Sequence, residues 1–552
     1  MSDVRKGFRT ILRVVGRRLL PGVSILPRLL SLGDLKAARV TRQRKPGAID
    51  FLVVSLRSGW LLPAVLEQGL GLGLQARGHH VRVLECGGAP IECGFHNPRY
   101  GAKRPCTACR FAGHVLAGRT GLPALALRDW FDSEEVAAAR REVRALTLAE
   151  CRAYSAEGLS LGRLVEPSVL GYFTRGTLKD DQVPYYRAVL ASAVPFARAM
   201  RRFLKEQPSE MRLLMTSGIF WPERILWELA QRAGHMNTVL YERGFIRDTW
   251  VFARNQAPGY YDLTQHWAKY RDRPLTAAEL AEIREYIASR ESFSKDIVSY
   301  AGRWEQASSE FRDLTTRAGG RPIIAAFSNI IWDSAIIGRD LRFEGMFDWV
   351  RALVRYAATH PNQFVVLRGH PAEVALEGAE TAETLQDYLR SLGTLLAENF
   401  VYVPPDSRIN SYRLADLATV GVVYASTIGL EMVLRGRPVV VSGLTHYGAL
   451  GFADEAGDSG TLTAALERAC NQALTADEIE RRRVLAERYA SLFFFRQMVP
   501  IDWLDDRRMG APRFSAANFA AGLRRLGSPT SQLLDFIEDG ATGQFILEPS
   551  GL

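Results

Sequence analysis

The chain predicts an α/β protein made of two Rossmann-like domains, and three observations carry that prediction. Short apolar runs (FLVVS, HVRVLE, RLLMT, NTVLYE, later PIIAAF, FVVLR, VGVVY and PVVV) recur between helical stretches, as buried parallel strands joined by crossover helices do. The runs form two groups separated by a helical linker that ends near Gly319 and Gly320. With 552 residues, 47% apolar and 24% charged, the chain is long enough for two or three domains with substantial cores.

Residues 1–48 read as a basic amphipathic arm. The first 46 residues hold twelve Lys or Arg against Asp3 and Asp34, so they account for the whole formal charge of +10. On a helix, Val4, Phe8, Ile11, Leu12, Val15 and Leu19 share a face flanked by Arg5, Arg9, Arg13 and Arg17, the pattern of an interfacial helix on an anionic membrane. A transit peptide or an unstructured basic tail shares this composition. A nucleic-acid arm is disfavoured because the body has no basic surplus to continue the footprint. No apolar run reaches the length of a membrane span and arginines break every signal-like segment, so a cytoplasmic protein peripherally bound to the inner face of the membrane is expected.

The first domain, 49–318, opens with strand FLVVS, a helix over Leu61–Gln75 and strand HVRVLE, a βαβ beginning. Gly69, Gly71 and Gly73 lie inside that helix rather than at its entry, so they predict close helix packing and not a dinucleotide fingerprint. Residues 125–210 read as a helical insertion. Strands resume in MRLLMTSG and NTVLYERG, on either side of a helix at Glu223–Ala233. The second domain, 319–475, starts at RPIIAAFSN, and 476–552 read as C-terminal helices.

Cys86, Cys93, Cys106 and Cys109 fall in one loop with spacing C-x6-C-x12-C-x2-C. Four soft ligands within 24 residues suit a tetrahedral structural zinc, with His96 and His114 as substitutes; a redox pair or ordinary loop cysteines are the alternatives.

The chemistry concentrates in two segments of the second domain. LRGHPAE (Leu367–Glu373) and STIGLE (Ser426–Glu431) each follow a buried strand, placing small polar groups and a His where open α/β sheets bind ligands. Ser426, Thr427 and the backbone of Gly429 stand where a helix begins, a place suited to phosphate. Glu431 is oriented to accept from ribose hydroxyls, and Arg368 and His370 are suited to neutralise a phosphate leaving group. An ordinary strand-end turn and N-cap would use similar residues.

These residues resemble the nucleotide-sugar half of GT-B glycosyltransferases. The HP motif, the S-T-x-G-x-E turn, G-x-P-V-V and the following Tyr/Gly/Phe segment are most similar to capsule and surface-polysaccharide biosynthesis proteins, including CMP-Kdo and CMP-sialic acid type transferases. The likeness is best over Arg321–Phe452. It implies a GT-B-like fold with two Rossmann-like domains facing a cleft, a helical insertion and C-terminal crossing helices. It also implies a transferase moving sugar from a nucleotide-sugar, CMP-linked by resemblance alone, to a glycan or lipid-linked acceptor. Tyr447, beside His446, would then close over the base or sugar.

A catalytic base is expected from the first domain, and Glu242 in YERG is its candidate unless Arg243 or Arg247 pairs with it. Asp333, after the first strand of the second domain, either holds sugar or acceptor or caps a helix. No DxD motif occupies a strand end, so no catalytic metal is expected. An epimerase or hydrolase of the same fold and a non-catalytic assembly scaffold are the competing functions.

Overall fold

Strand β1 (Asp50–Ser55) is buried on both faces after its first residue, because DFLVVS offers no polar face to solvent. It belongs to a computed structural model that describes residues 35–38, 45–94, 97, 105–235, 237–292, 294–296, 309–333, 336–375, 380–505, 512–540 and 542–548. The described residues divide into two compact units. The first comprises the chain through Tyr172, Leu178–Gly259 and everything from Arg496 onward; the second comprises Phe173–Thr177 and Tyr260–Phe495.

In the first unit β1, β2 (His80–Glu85), β3 (Ala124–Ala126), β4 (Arg212–Thr216) and β5 (Thr238–Arg243) run parallel in the order β3-β2-β1-β4-β5. β6 (Thr249–Arg254) turns back antiparallel along β5. The helix Leu61–Ala76 crosses from β1 to β2, and its glycines are packing devices as the sequence predicts. A Cβ on Gly69 would stand 2.5 Å from the Trp503 ring, one on Gly71 2.8 Å from Leu122, and one on Gly73 2.9 Å from Leu534.

The helical insertion is present. Asp132 caps Ser133–Glu142 by accepting from the Glu134 and Glu135 amides, a Thr147–Glu150 capping box starts Leu148–Ala153, and the long helix Val183–Lys205 buries Val189, Leu190, Phe196 and Phe203. β3 was not expected there. Its three residues ALA are too few for a periodicity signal, and pairing with β2 makes them a strand.

The second unit holds β7 (Ile323–Phe327), β8 (Phe364–Arg368), β9 (Phe400–Val403), β10 (Val420–Val423), β11 (Val439–Val441) and β12 (Asp454–Glu455). All pairs are parallel, in the order β9-β8-β7-β10-β11-β12. In chain order this is 3-2-1-4-5-6, the order of the dinucleotide-binding Rossmann sheet. Trp349, Leu353, Val365, Val422 and Leu466 share its core, where each fully buried side chain contributes roughly 1.5–3 kcal/mol. The α/β class and two Rossmann-like sheets are thus observed.

Two boundaries differ from expectation. The units divide at Gly259 rather than near residue 318, because the linker helices pack with the second sheet: Arg290 pairs with Glu431 and Glu310 accepts from Ser407. The C-terminal segment is not wholly helical. Ala476–Ala490 stays with the second unit, after which β13 (Val499–Pro500) and β16 (Gly543–Gln544) both pair with β6, with a small hairpin of β14 (Leu504–Asp505) and β15 (Arg513–Phe514) between them.

Residues 1–34 and 39–44 of the expected arm lie outside the described residues. The short turn Leu35–Ala38 within it is not part of a free arm: Leu35 and Ala38 are buried in the core of the first unit.

Candidate functional site

Open parallel sheets bind ligands outside the carboxyl ends of the strands where the strand order reverses. In the second unit that point lies between β7 and β10, which pair from Ile324–Val420 to Phe327–Val423. The loops leaving them are tied together, the Asn329 side-chain oxygen accepting from the Ala425 amide at 3.0 Å. Ser426 and Thr427 come next, both half-buried, and lead into the helix Ile428–Leu434. Thr427 occupies the cap position without a side-chain capping bond, so its hydroxyl is not consumed by the helix.

The turn is held from behind by Tyr447, whose hydroxyl donates to the Ser426 carbonyl at 2.6 Å. Gly429 makes this approach possible, since a Cβ there would lie 2.2 Å from the Tyr447 hydroxyl oxygen. Tyr447 is fully buried, which corrects the expectation that it closes over base or sugar: its polar end is spent on the backbone of the turn. His446 likewise belongs to an aromatic cluster, stacked 4.1 Å from Phe493 with Nδ1 2.8 Å from the Tyr489 hydroxyl.

His370 stands at the end of the neighbouring strand β8, half-buried. Its Nδ1 accepts from the Ala372 amide at 3.1 Å, which leaves the ring proton on Nε2. Burial, reinforced by the Arg368 and Arg290 charges, lowers its pKa to about 4. At neutral pH His370 is therefore an uncharged hydrogen-bond donor and not the expected cation. Asp333 lies in the loop after β7, where its carbonyl accepts from the Ile336 and Ile337 amides.

Two expected ligand contacts are overturned. Arg368 is 1% exposed, and its guanidinium donates to the carbonyls of Pro404, Val403, Ser407 and Ile409. It pins the loop after β9, and burial lowers its pKa to about 10. Glu431 has no exposure and forms an ion pair with Arg290 at 3.0 Å, so its carboxylate is not offered to a ribose. Arg290 also reaches Asp296 at 2.6 Å. This arginine, close enough to His370 to depress its pKa, was not found by sequence reasoning, because no local pattern links it to a helix 141 residues away.

In the first unit the strand order reverses between β1 and β4, and Arg57 spans the two loops. It donates to Glu223 at 2.6 Å and to the Trp221 carbonyl at 2.6 Å. Behind it Glu67, 4% exposed, accepts from the Tyr241 hydroxyl, and burial pushes the carboxyl up to about 8. None of these five residues was singled out from sequence as a site residue. Glu242 is the penultimate residue of β5, half-buried, registered opposite Val251, with its carboxylate against Gly259. It therefore sits at the carboxyl end of the parallel strands.

Cys86, Cys93, Cys106 and Cys109 line a single cavity of about 30 Å³. Among the described residues, no group of three or more His, Cys, Asp or Glu already stands close enough to hold a metal ion. His96 lies outside the described residues, and His114 is exposed and does not line the cavity. Among the described residues no helix is long and apolar enough to cross a membrane.

No family model matches the chain, and no curated protein matches it. Several solved structures are similar to it. The β-Kdo 2,4-transferase of Thermosulfurimonas dismutans KpsC is 15% identical over 56% of this chain and 86% of its own, with a TM-score of 0.34. The β-Kdo 2,7-transferase of the same protein is 16% identical over 59% and 90%, with a TM-score of 0.32. A UDP-forming α,α-trehalose-phosphate synthase of Burkholderia vietnamiensis is 13% identical over 86% and 98%, also with a TM-score of 0.32. At these values the likeness assigns no activity, donor or acceptor, and the fold rests on the two sheets themselves.

Proposed function

We propose that the chain is a glycosyltransferase that binds a nucleotide-sugar in its second unit and transfers the sugar to a glycan or lipid-linked acceptor in surface-polysaccharide assembly. The observation that carries this reading is the Ser426–Thr427 turn at the strand-order reversal. Its backbone is braced by Asn329 and Tyr447, and the Thr427 hydroxyl is not used by the helix. Donors fixed in advance stabilise the charge that develops on a departing phosphate without reorganising during the reaction.

His370, protonated on Nε2, adds a neutral donor at the adjacent strand end. Glu242 is the proposed acceptor-side base and Asp333 a proposed sugar or acceptor contact. A CMP-linked donor is favoured by the sequence resemblance alone. The basic arm is proposed to hold the enzyme on an anionic membrane, and the transfer is proposed to need no catalytic metal.

The test is nucleotide release. The purified chain is incubated with CMP-, UDP- and GDP-sugars, with and without lipid-linked glycan acceptors and with a chelator. Acceptor-dependent release of one nucleotide supports transfer. Release of equal extent without acceptor indicates a hydrolase, and none from any donor removes the enzymatic reading.

A further inference from the structure

We propose that Cys86, Cys93, Cys106 and Cys109 form a closed, structural site for a soft divalent metal of the zinc class in the first unit. The inference is independent of glycosyl transfer and rests on what surrounds the four sulfurs.

Two thiols come from the segment after β2 and two from the first turn of the helix Pro105–Thr120, yet all four line one cavity of about 30 Å³. By that measure about 10–15 Å³ already admits a water, so there is room for a bare metal ion. None of the four is in a disulfide. One backbone amide is already directed at a sulfur: Gly59 N–H donates to Cys109 Sγ at 3.2 Å. Such donors stabilise thiolate and orient metal ligands, and a neutral buried thiol has little use for them. The turn after Cys86, closed by the Ala89 amide donating to the Cys86 carbonyl at 3.0 Å, needs Gly87 at φ 62° and Gly88 at φ 86°, backbone values that side chains disfavour.

Charge balance points the same way. Four thiolates around a divalent ion carry a net charge of about −2, and the protons they release go to solvent. Arg110 lines the cavity, and the Arg57 charge reaches both Cys86 and Cys93. The sulfurs stand farther apart than metal ligands do, and binding would draw them to about 2.3 Å from the ion. With four protein ligands no position is left for substrate, so the metal would brace the β1 loop through Gly59 and Cys109 rather than take part in transfer.

The test uses the full chain, purified under reducing conditions without added metal. Mass spectrometry should find about one zinc per chain, and exchange for Co²⁺ should give a near-ultraviolet sulfur-to-cobalt charge-transfer band with the intense visible bands of four-coordinate cobalt. Both signals should vanish in Cys86→Ser/Cys109→Ser. If that variant does not fold, the cobalt spectrum of the unaltered chain decides alone. Substoichiometric zinc together with no charge-transfer band on adding Co²⁺ overturns the site, as does a Cys106–Cys109 disulfide that forms and reduces with zinc present.

Discussion

Arg290 donates through Nε to a Glu431 carboxylate that has no exposure to solvent, at 3.0 Å, so the helix behind the Ser426–Thr427 turn is anchored by a buried ion pair. Removing one partner of such a pair leaves an uncompensated buried charge and costs about 3–5 kcal/mol. Glu431→Ala and Arg290→Met should each lower the stability of the chain by that order in denaturant titrations. The double variant should lose much less than their sum. Additive losses would show that the two residues act separately.

The Tyr447–Gly429 contact predicts a compensating pair. Tyr447→Phe removes one buried hydrogen bond, worth about 1 kcal/mol, and should weaken nucleotide binding modestly by loosening Ser426. Gly429→Ala alone should cost several times more, since its Cβ meets the tyrosine oxygen at 2.2 Å. Combining the two should recover part of that loss in melting temperature. No recovery would mean that Val423, 3.0 Å from the same Cβ, is the obstacle.

Glu67 predicts how stability depends on pH. Its carboxyl titrates near 4.5 when unfolded and is raised to about 8 in the folded chain, so the folded state holds its proton more tightly. Its contribution is fully present below pH 4.5 and is lost as pH rises through 8, a change on the order of 5 kcal/mol. Glu67→Gln should therefore flatten the stability profile between those values and leave the variant no less stable than the parent at pH 8. An unchanged profile contradicts the assignment.

The basic arm predicts membrane binding by charge. Deleting residues 1–30 removes most of the surplus while sparing Leu35 and Ala38, which are buried in the first unit. Binding to vesicles containing anionic lipid should fall sharply and the melting temperature should hold, each basic residue near the surface contributing on the order of 1 kcal/mol. Undiminished vesicle binding by the shortened chain rules the arm out as the anchor.

What the sequence makes legible here is whatever is periodic or contiguous. Apolar runs mark β1, β2, β4, β5, β7, β8 and β10, and STIGLE sits at the strand end where its order of small polar residues puts it. Side-chain commitments over long separations are not legible. Arg368 looks like a phosphate ligand until carbonyls 35 to 41 residues on are seen to occupy it. Glu431 looks like a ribose acceptor until Arg290 is placed beside it, and Tyr447 like a lid until its hydroxyl is found on Ser426. Arg57 and Glu223 meet across 166 residues, with no local pattern to announce them.

The central claim is that the Ser426–Thr427 turn and His370 hold a nucleotide phosphate, and calorimetric titration of CMP, UDP and their sugars tests it most directly. His370→Ala and Ser426→Ala/Thr427→Val, each confirmed as folded, should bind the preferred nucleotide at least tenfold more weakly, about 1.4 kcal/mol or more. Glu242→Gln should bind it as the parent does while losing turnover. Parent-like nucleotide affinity in both phosphate-side variants would contradict the account.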